Sequence, residues 1–528
     1  MAKKFNVTGT CFPEDHYMAD VSKKLAQTYS MIEEGDYFII NRPRQYGKTT
    51  TLYTLANRLN ESGKYLVFNI SFEGIGDAIF NDEEMFSKGF VRLLEYVADD
   101  YSTGLKPALA EAALKPKNLD ELGKIISELC AKTTKKIVVL IDEVDKSSNN
   151  QLFVSFLAML RNKYLDRKMR PTFHSIVLAG VHDVKNLKLK LRPNEEAKYN
   201  SPWNIATTFK VDMTLKPDEI KPMLADYMQE QSIKMDTQLI ADRLFYLTSG
   251  YPFLVSQLCK TIAEEIMPTK EIKEWTEADV NKAFQMLIRE RGIANFDTVI
   301  KNLNDYPALY QLVYSLIIDG LTTPYNDHDA TISLGVLHGI FGRSESGSLT
   351  IHNRIYRELI ANMMISEWRT NAIVQGRRST DVFDYVSQYH LPNKALDMEK
   401  VLTNFQVFMK KEYSSKDREF LERDGRLIFL AFMRPILNGV GYDFKEPQVS
   451  EEKRLDVVIT YNQHLYVAEL KIWHGADAHQ KGLAQLAAYL DTLSLDTGFL
   501  LIFDTNKKKK WEKGWTDVLG KRIFWVRV

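Results

Sequence analysis

Five short apolar runs mark the first part of the chain, at positions 37–40, 65–72, 136–141, 175–179 and 209–215. Segments of about 20 residues or more lie between them, with apolar positions at helical spacing. Uncharged β-rich runs alternating with helices predict buried parallel strands joined by helical crossovers. From about 216 to 292 the pattern is helical throughout. Positions 307–362 read as helix, helix, a turn-rich tip at 342–348, a short β run at 349–351 and a closing helix. The stretch 374–393 combines Gly, Arg-Arg, Ser-Thr and Pro and reads as a linker. Beyond it the pattern predicts a helix at 420–437, a strand cluster at 444–469, an amphipathic helix at 481–493 and strands at 499–503 and 523–528.

Composition narrows the class. Apolar residues make up 45% and charged residues 26% of the 528 positions, the balance of a chain with a sizeable core. The 69 Lys and Arg cancel the 69 Asp and Glu, which argues against a polybasic nucleic-acid binder. No apolar run approaches the roughly 18 residues of a membrane span, and the first residues lack the apolar core of a secretory signal. The three cysteines, Cys11, Cys130 and Cys259, are too dispersed for a disulfide framework or a cysteine-based zinc site. The expectation is a cytoplasmic protein with no membrane partner.

The first candidate site follows the run at 37–40. Arg42-Pro43-Arg44-Gln45-Tyr46-Gly47-Lys48-Thr49-Thr50 stands between that strand and a helical pattern through Leu52, Leu55, Ala56 and Leu59. Strand, loop, Gly-Lys-Thr and helix is the context of a phosphate-binding loop. Backbone N–H groups and the positive end of the new helix face the phosphates. Lys48 would reach the β- and γ-phosphates and Thr49 would ligate Mg²⁺. Arg42 stands where the usual loop opens on Gly. The run at 136–141 then ends in Asp142-Glu143. Asp142, expected on a strand beside the loop's own, would share the Mg²⁺, and Glu143 would polarise the attacking water.

With both motifs in place, the chain resembles AAA-like P-loop ATPases whose first motif reads R-P-R-x-x-G-K-[ST]. The opening Arg is a habit of that family. Leu178-Ala179-Gly180-Val181 resembles the sensor strand of STAND-like ATPases, Ser249-Gly250-Tyr251-Pro252 their Gly-x-Pro lid motif, and Leu349 to Ile360 the wing and final helix of their winged-helix domain. No arginine finger stands out; Arg44 and Arg192 read better as solvated or loop-packing residues.

The last third carries a second constellation. Glu469 and Lys471 are two apart on a predicted strand and so share a face; Asp456 on the preceding strand can join them. Two carboxylates could hold Mg²⁺, with Lys471 orienting its water or countering transition-state charge. An ion pair of Lys471 with Asp456 or Glu469 is the alternative. Gln485 and Tyr489 lie i,i+4 on the next helix. Helix acid, Asp, Glu-x-Lys and Gln-x-x-x-Tyr in this order resembles the PD-(D/E)XK nuclease superfamily, particularly its RecB-like branch. Glu422, rather than Glu419, is assigned the helix-acid position, and Leu455 replaces the usual Pro. His464, His474 and His479 read as solvated or packing residues. Lys507–Lys510 with Trp511, Lys513 and Trp515 reads equally as a phosphate-contacting strip or a solvated loop.

The resemblances imply an α/β chain: a P-loop ATPase core at 1–215, a helical lid at 216–300, a winged-helix-like domain at 301–373, a linker at 374–395 and a nuclease-like domain at 396–528. The implied function is an ATP-hydrolysing switch coupled to Mg²⁺-dependent cleavage of nucleic acid, DNA before RNA, with Mn²⁺ as a substitute metal. Nucleotide-dependent homo-oligomers would fit. The rivals are a nucleotide-gated scaffold whose last domain binds without cutting, and a DNA-stimulated motor.

Overall fold

The structure, a computed structural model, describes residues 3–74, 76–98, 105–144, 151–181, 205–290, 292–317, 323–374, 389, 391, 393, 395–412, 429–430, 432–433, 436–437, 441–444, 457–461, 464–473, 475–504, 506 and 509–528. It divides into two compact units, Met1–Leu309 with Pro324–Tyr356, and Tyr310–Thr323 with Arg357–Val528.

The first unit is built on a parallel sheet of β1 (Tyr37–Asn41), β2 (Tyr65–Ser71), β3 (Lys136–Asp142) and β4 (Ser175–Gly180), in the order β1-β4-β3-β2. The strands are apolar on both faces because helices cover both, which is why they read as continuous runs rather than alternations. Two expectations need correction. First, β3 does not neighbour β1; β4 lies between them. Second, 209–215 is not a strand. The chain just before it makes an isolated bridge to the sheet, Thr207 to Phe38, and Phe209 stacks on the Phe38 ring at 5.7 Å. Its backbone is engaged elsewhere: the Val211 carbonyl accepts from Arg42, and the Leu215 N–H donates to Gly250 O at 2.8 Å.

The helical region comprises Pro217–Gln231, Thr237–Thr248, Pro252–Thr261 and Glu277–Leu287, with a two-residue ladder between β5 (Lys234–Met235) and β6 (Glu274–Trp275). Pro252 opens its helix at the first position, where a missing N–H costs nothing. The helix Ala330–Leu337 leads into an antiparallel hairpin, β7 (Phe341–Arg343) and β8 (Leu349–Ile351).

The second unit centres on a six-stranded mixed sheet of β9 (Gly441–Phe444), β10 (Val457–Tyr461), β11 (His464–Ile472), β12 (Thr497–Phe503), β13 (Lys513–Val518) and β14 (Lys521–Arg527), ordered β13-β14-β12-β11-β10-β9. The pairs β11–β12 and β12–β14 are parallel. One face packs Ala468, Phe499, Leu501 and Phe524 against Phe405, Phe429 and Phe432. The other packs Val467, Leu500, Ile502 and Ile523 against Leu483, Leu486 and Leu490 of the helix Ala476–Thr492. Two elements went unforeseen. The helix Met398–Glu412 precedes the sheet, and β13 is a polar edge strand paired on one side only. Most of the expected helix at 420–437 and the linker at 374–393 lie outside the described residues.

Candidate functional site

The candidate phosphate site grows from the carboxyl end of β1. The chain leaves Asn41 and enters the helix Lys48–Glu61 through two left-handed residues, Gln45 (φ 56°) and Gly47 (φ 78°). A non-glycine residue in that region is a mark of a tightly determined loop. Gly47 caps the helix with no side-chain hydrogen bond, so its first N–H groups are not masked by a cap. A Cβ on Gly47 would meet nothing within 4 Å, which makes the space over the loop open.

Arg42 explains why the loop need not open on Gly. Its Nη1 donates to Asn41 O and its Nη2 to Val211 O, both at 2.8 Å, and its guanidinium lies over the Phe209 ring at 5.4 Å. The side chain ties the end of β1 to the 209–211 segment, and burial lowers its pKa. Lys48 is buried, with Nζ donating to the carbonyls of Arg42 (3.0 Å) and Pro43 (2.9 Å). The ammonium is held under the loop by two neutral acceptors that an anion can outcompete, since charge-assisted bonds are about twice as strong.

Across the loop, Thr49 Oγ1 donates to Asp142 Oδ2 at 2.6 Å. Although β4 separates their strands, the helix start carries Thr49 over to the end of β3. Asp142 is nearly sealed from solvent, and its Oδ1 accepts the Glu143 N–H at 2.9 Å. Glu143 adopts φ 54°, a left-handed conformation that turns the chain directly after the strand. Thr50 Oγ1 accepts the Cys11 N–H at 3.0 Å, pinning the N-terminal segment to the same helix. Arg44 is exposed at the loop's rim, and Arg192 lies outside the described residues.

Three contributors were given no place at the phosphate loop from sequence: Tyr251, quoted only within the Gly-x-Pro motif, and His352 and Gly339. Tyr251 Oη donates to Arg44 O at 2.6 Å, and its ring meets Tyr46 edge-on at 4.6 Å. Tyr46 Oη and His352 Nε2 are 3.1 Å apart. Burial pushes the Tyr46 phenol up and the His352 imidazole down to about 4, so the pair is neutral at pH 7. Gly339 (φ 72°) lets the chain pass Pro43, where a Cβ would come within 3.0 Å of Pro43 Cγ. The crest of the loop is thereby roofed by the turn before the helix Pro252–Thr261 and by the hairpin segment.

In the second unit Glu469 and Lys471 do share a face of β11, the one covered by the helix Ala476–Thr492. Glu469 has 0% exposure and its Oε1 lies 2.7 Å from Lys471 Nζ, whose side chain is 38% exposed. Tyr489 is buried in the same layer and Gln485 is half-buried one turn earlier. Asp456 and Glu422 lie outside the described residues, as do His474, Lys507 and Lys508. Among the described residues no group of three or more His, Cys, Asp or Glu could hold a metal ion, so the described part of this site offers one carboxylate. His464 is exposed, whereas His479 packs between Trp473 and Trp525, with ring centroids at 5.8 and 5.3 Å. Among the described residues no helix is long and apolar enough to cross a membrane.

Comparison with known proteins adds relatives of two kinds. A protein of Azotobacter chroococcum mcd 1, described as an uncharacterized protein in the vnfD 5' region, is 28% identical over 149 residues. The match covers 25% of this chain and 26% of that protein, so the chain spans about a quarter of the relative's length. Among solved structures, similarity extends to the Walker-type ATPase PABY2304 of Pyrococcus abyssi (TM-score 0.47, 12% identity, 67% of this chain and 99% of that one). It extends further to the ORC2 protein of Aeropyrum pernix in its ADPNP–ADP complexes (0.36, 13%, 69% and 98%) and to the RuvB branch-migration motor of Thermotoga maritima (0.34, 14%, 67% and 98%). The sequence profile described as the AAA-like domain matches residues 15–289, slightly more than half of the 528, and brackets the loop, the acid pair and the lid. The chain therefore belongs to the AAA-like domain family.

Proposed function

We propose that the chain is an ATP-hydrolysing switch coupled to a C-terminal domain that cleaves nucleic acid, DNA in the first instance. The observation that carries the first half is the Thr49 hydroxyl 2.6 Å from the Asp142 carboxylate, beside a buried Lys48 at the start of an uncapped helix. Hydroxyl, carboxylate and ammonium at a helix N-terminus are the donors that Mg²⁺ and a nucleotide tail require. Mg²⁺ bound there supplies positive charge that neutralises the phosphates. Lys48 exchanges the Arg42 and Pro43 carbonyls for phosphate oxygens. Asp142 and Thr49, 2.6 Å apart, would hold that ion. Glu143, next along the chain, orients water as the general base. Arg42, Arg44, Gln45 and Tyr46 shape the loop, and Thr50 fixes its following turn.

In this reading the chain divides functionally near 215, 300, 373 and 395, with 301–373 acting as the winged-helix-like relay. In the C-terminal domain, Glu469, Lys471, Gln485 and Tyr489 form the nuclease motif together with Asp456 and Glu422. A metal there needs Asp456 beside Glu469. A second reading has its own support: the fully buried Glu469, already paired to Lys471, suits a domain that binds without cutting. The test is a pair of variants. Lys48→Ala should abolish ATP binding. Lys471→Ala should keep ATP binding and abolish plasmid nicking with Mg²⁺ or Mn²⁺. A wild-type protein inert on every nucleic acid tried would remove the nuclease half. A mass increase with non-hydrolysable nucleotide in that inert protein would favour the scaffold.

A further inference from the structure

The second unit contains a cleft that the motif residues leave unexplained. It lies where the helix Ala476–Thr492 crosses β11 and β12, and is lined by Lys471, Trp473, His479, Gly482, Leu500 and Ile502. Its volume is about 80 Å³. At roughly 10–15 Å³ for each water-sized occupant, that is room for about five to eight non-hydrogen atoms, the size of one heteroaromatic ring.

The lining has a definite chemistry. Leu500 and Ile502 give it buried apolar walls. Trp473 gives it an aromatic plane, fixed by the Arg527 guanidinium 3.6 Å from its centre, and Arg527 is in turn held by Glu512 at 3.4 Å. His479 lines it with an imidazole, whose Nδ1 is covered and has no hydrogen-bond partner among the described residues. Burial, and then the charge of Arg527, lower the His479 pKa, so the imidazole is neutral and presents one donor and one acceptor nitrogen. Lys471 places an ammonium beside this ring-sized space. Gly482 keeps it open, because a Cβ there would lie 3.7 Å from Lys471 Cγ. An apolar slot with one aromatic plane, one neutral hydrogen-bonding nitrogen and one cation matches a base joined to a phosphate.

We propose that this cleft takes one unpaired nucleobase of the strand engaged at Lys471, with His479 contacting the base edge. The inference rests on the nucleic-acid reading above and narrows its substrate to single strands or unpaired ends. A base stacked in a duplex cannot enter a lateral slot without leaving its stack.

Binding is measured by fluorescence anisotropy on the full chain in EDTA, with a short labelled single strand and the matching duplex, so that no cutting intervenes. The single strand should bind at least about tenfold more tightly than the duplex. His479→Ala should weaken single-strand binding about tenfold, the scale of one lost hydrogen bond to the base edge, and leave duplex binding unchanged. Gly482→Ala is the variant that cannot be blamed on misfolding. Alanine favours a helix, its methyl makes only an ordinary contact, and it narrows the slot, so single-strand affinity should fall while the melting temperature holds or rises. One abasic position in the strand should reproduce the loss in wild type and be silent in His479→Ala. Equal binding of single strand and duplex, or wild-type affinity in both variants, overturns the proposal. If the wild type cuts with Mg²⁺ while both variants keep full affinity and preference, the cleft is refuted and the nuclease reading stands. If binding depends on His479 but no cutting occurs, the cleft stands and the catalytic reading falls.

Discussion

Gly250 is where the helical region 217–287 is fastened to the segment that leads into it, and the cost of altering it can be worked out. Its φ is 73°, and an added Cβ would lie 2.2 Å from Leu215 O and 2.9 Å from Leu215 N. Both obstacles are backbone atoms, so a rotamer change cannot relieve them. An L-residue in the left-handed region costs about 1–2 kcal/mol. Moving Leu215 aside breaks the buried Leu215 N–H to Gly250 O bond of 2.8 Å, a further loss of about 1–3 kcal/mol. Gly250→Ala should therefore destabilise the first unit by about 2–5 kcal/mol. At roughly 2–4 °C per kcal/mol for a domain of this size, its transition should fall by about 10 °C. Gly63 supplies the control, because its φ is 70° and a Cβ there meets nothing within 4 Å. Gly63→Ala carries the conformational cost alone and should lose only about 1–2 kcal/mol. Differential scanning calorimetry of the two variants separates strain from collision. Equal losses would refute the close passage of Gly250 over Leu215, and with it the described docking of the helical region.

Two further outcomes follow from the roof over the loop. The His352 pKa falls from about 6.5 unfolded to about 4 folded, so the unfolded chain takes up the proton that the native ring refuses; stability is lost as pH drops from about 6.5 towards 4. The groups around the ring are Tyr46, Tyr251 and Asp212. The full shift corresponds to about 3 kcal/mol, and the ring's partial access to water reduces that to about 2 kcal/mol. Urea titrations of wild type and His352→Gln should converge at pH 4.5 relative to their difference at pH 7, and parallel curves would contradict this. Tyr251→Phe removes the 2.6 Å bond to Arg44 O and should cost about 1 kcal/mol, read as a melting shift of a few degrees.

What the sequence made legible was local. Strands β1 to β4 announced themselves because both their faces are buried, and the Gly47-Lys48-Thr49 turn because only a left-handed residue and a small hydroxyl fit there. What it hid was placement. Nothing in the run 136–141 says that β4 intervenes before β1, since strand order depends on crossovers rather than on strand composition. The run 209–215 has a strand's apolar pattern, yet its carbonyl and N–H groups go to Arg42 and Gly250, partners hundreds of atoms away along the chain. β13 was missed because an edge strand with one paired side needs no apolar alternation. His352 and the contact of Tyr251 with the loop were not legible because their role is defined only by the loop they cover. His479 looked inert because no metal-ligand spacing surrounds it, and its interest comes from a cleft made by three separate elements.

The central claim is that Lys48, Thr49 and Asp142 form a nucleotide site, and ligand-dependent melting of wild type beside Lys48→Ala tests it most directly. With ATP and Mg²⁺ at a hundredfold excess over its dissociation constant, the wild type should gain about 2.7 kcal/mol, a rise of roughly 5–10 °C. Lys48→Ala, in which binding is abolished, should rise by no more than roughly 1 °C, since even a residual affinity a hundredfold weaker leaves only about 0.4 kcal/mol. No shift in the wild type, or the same shift in both proteins, would contradict the account.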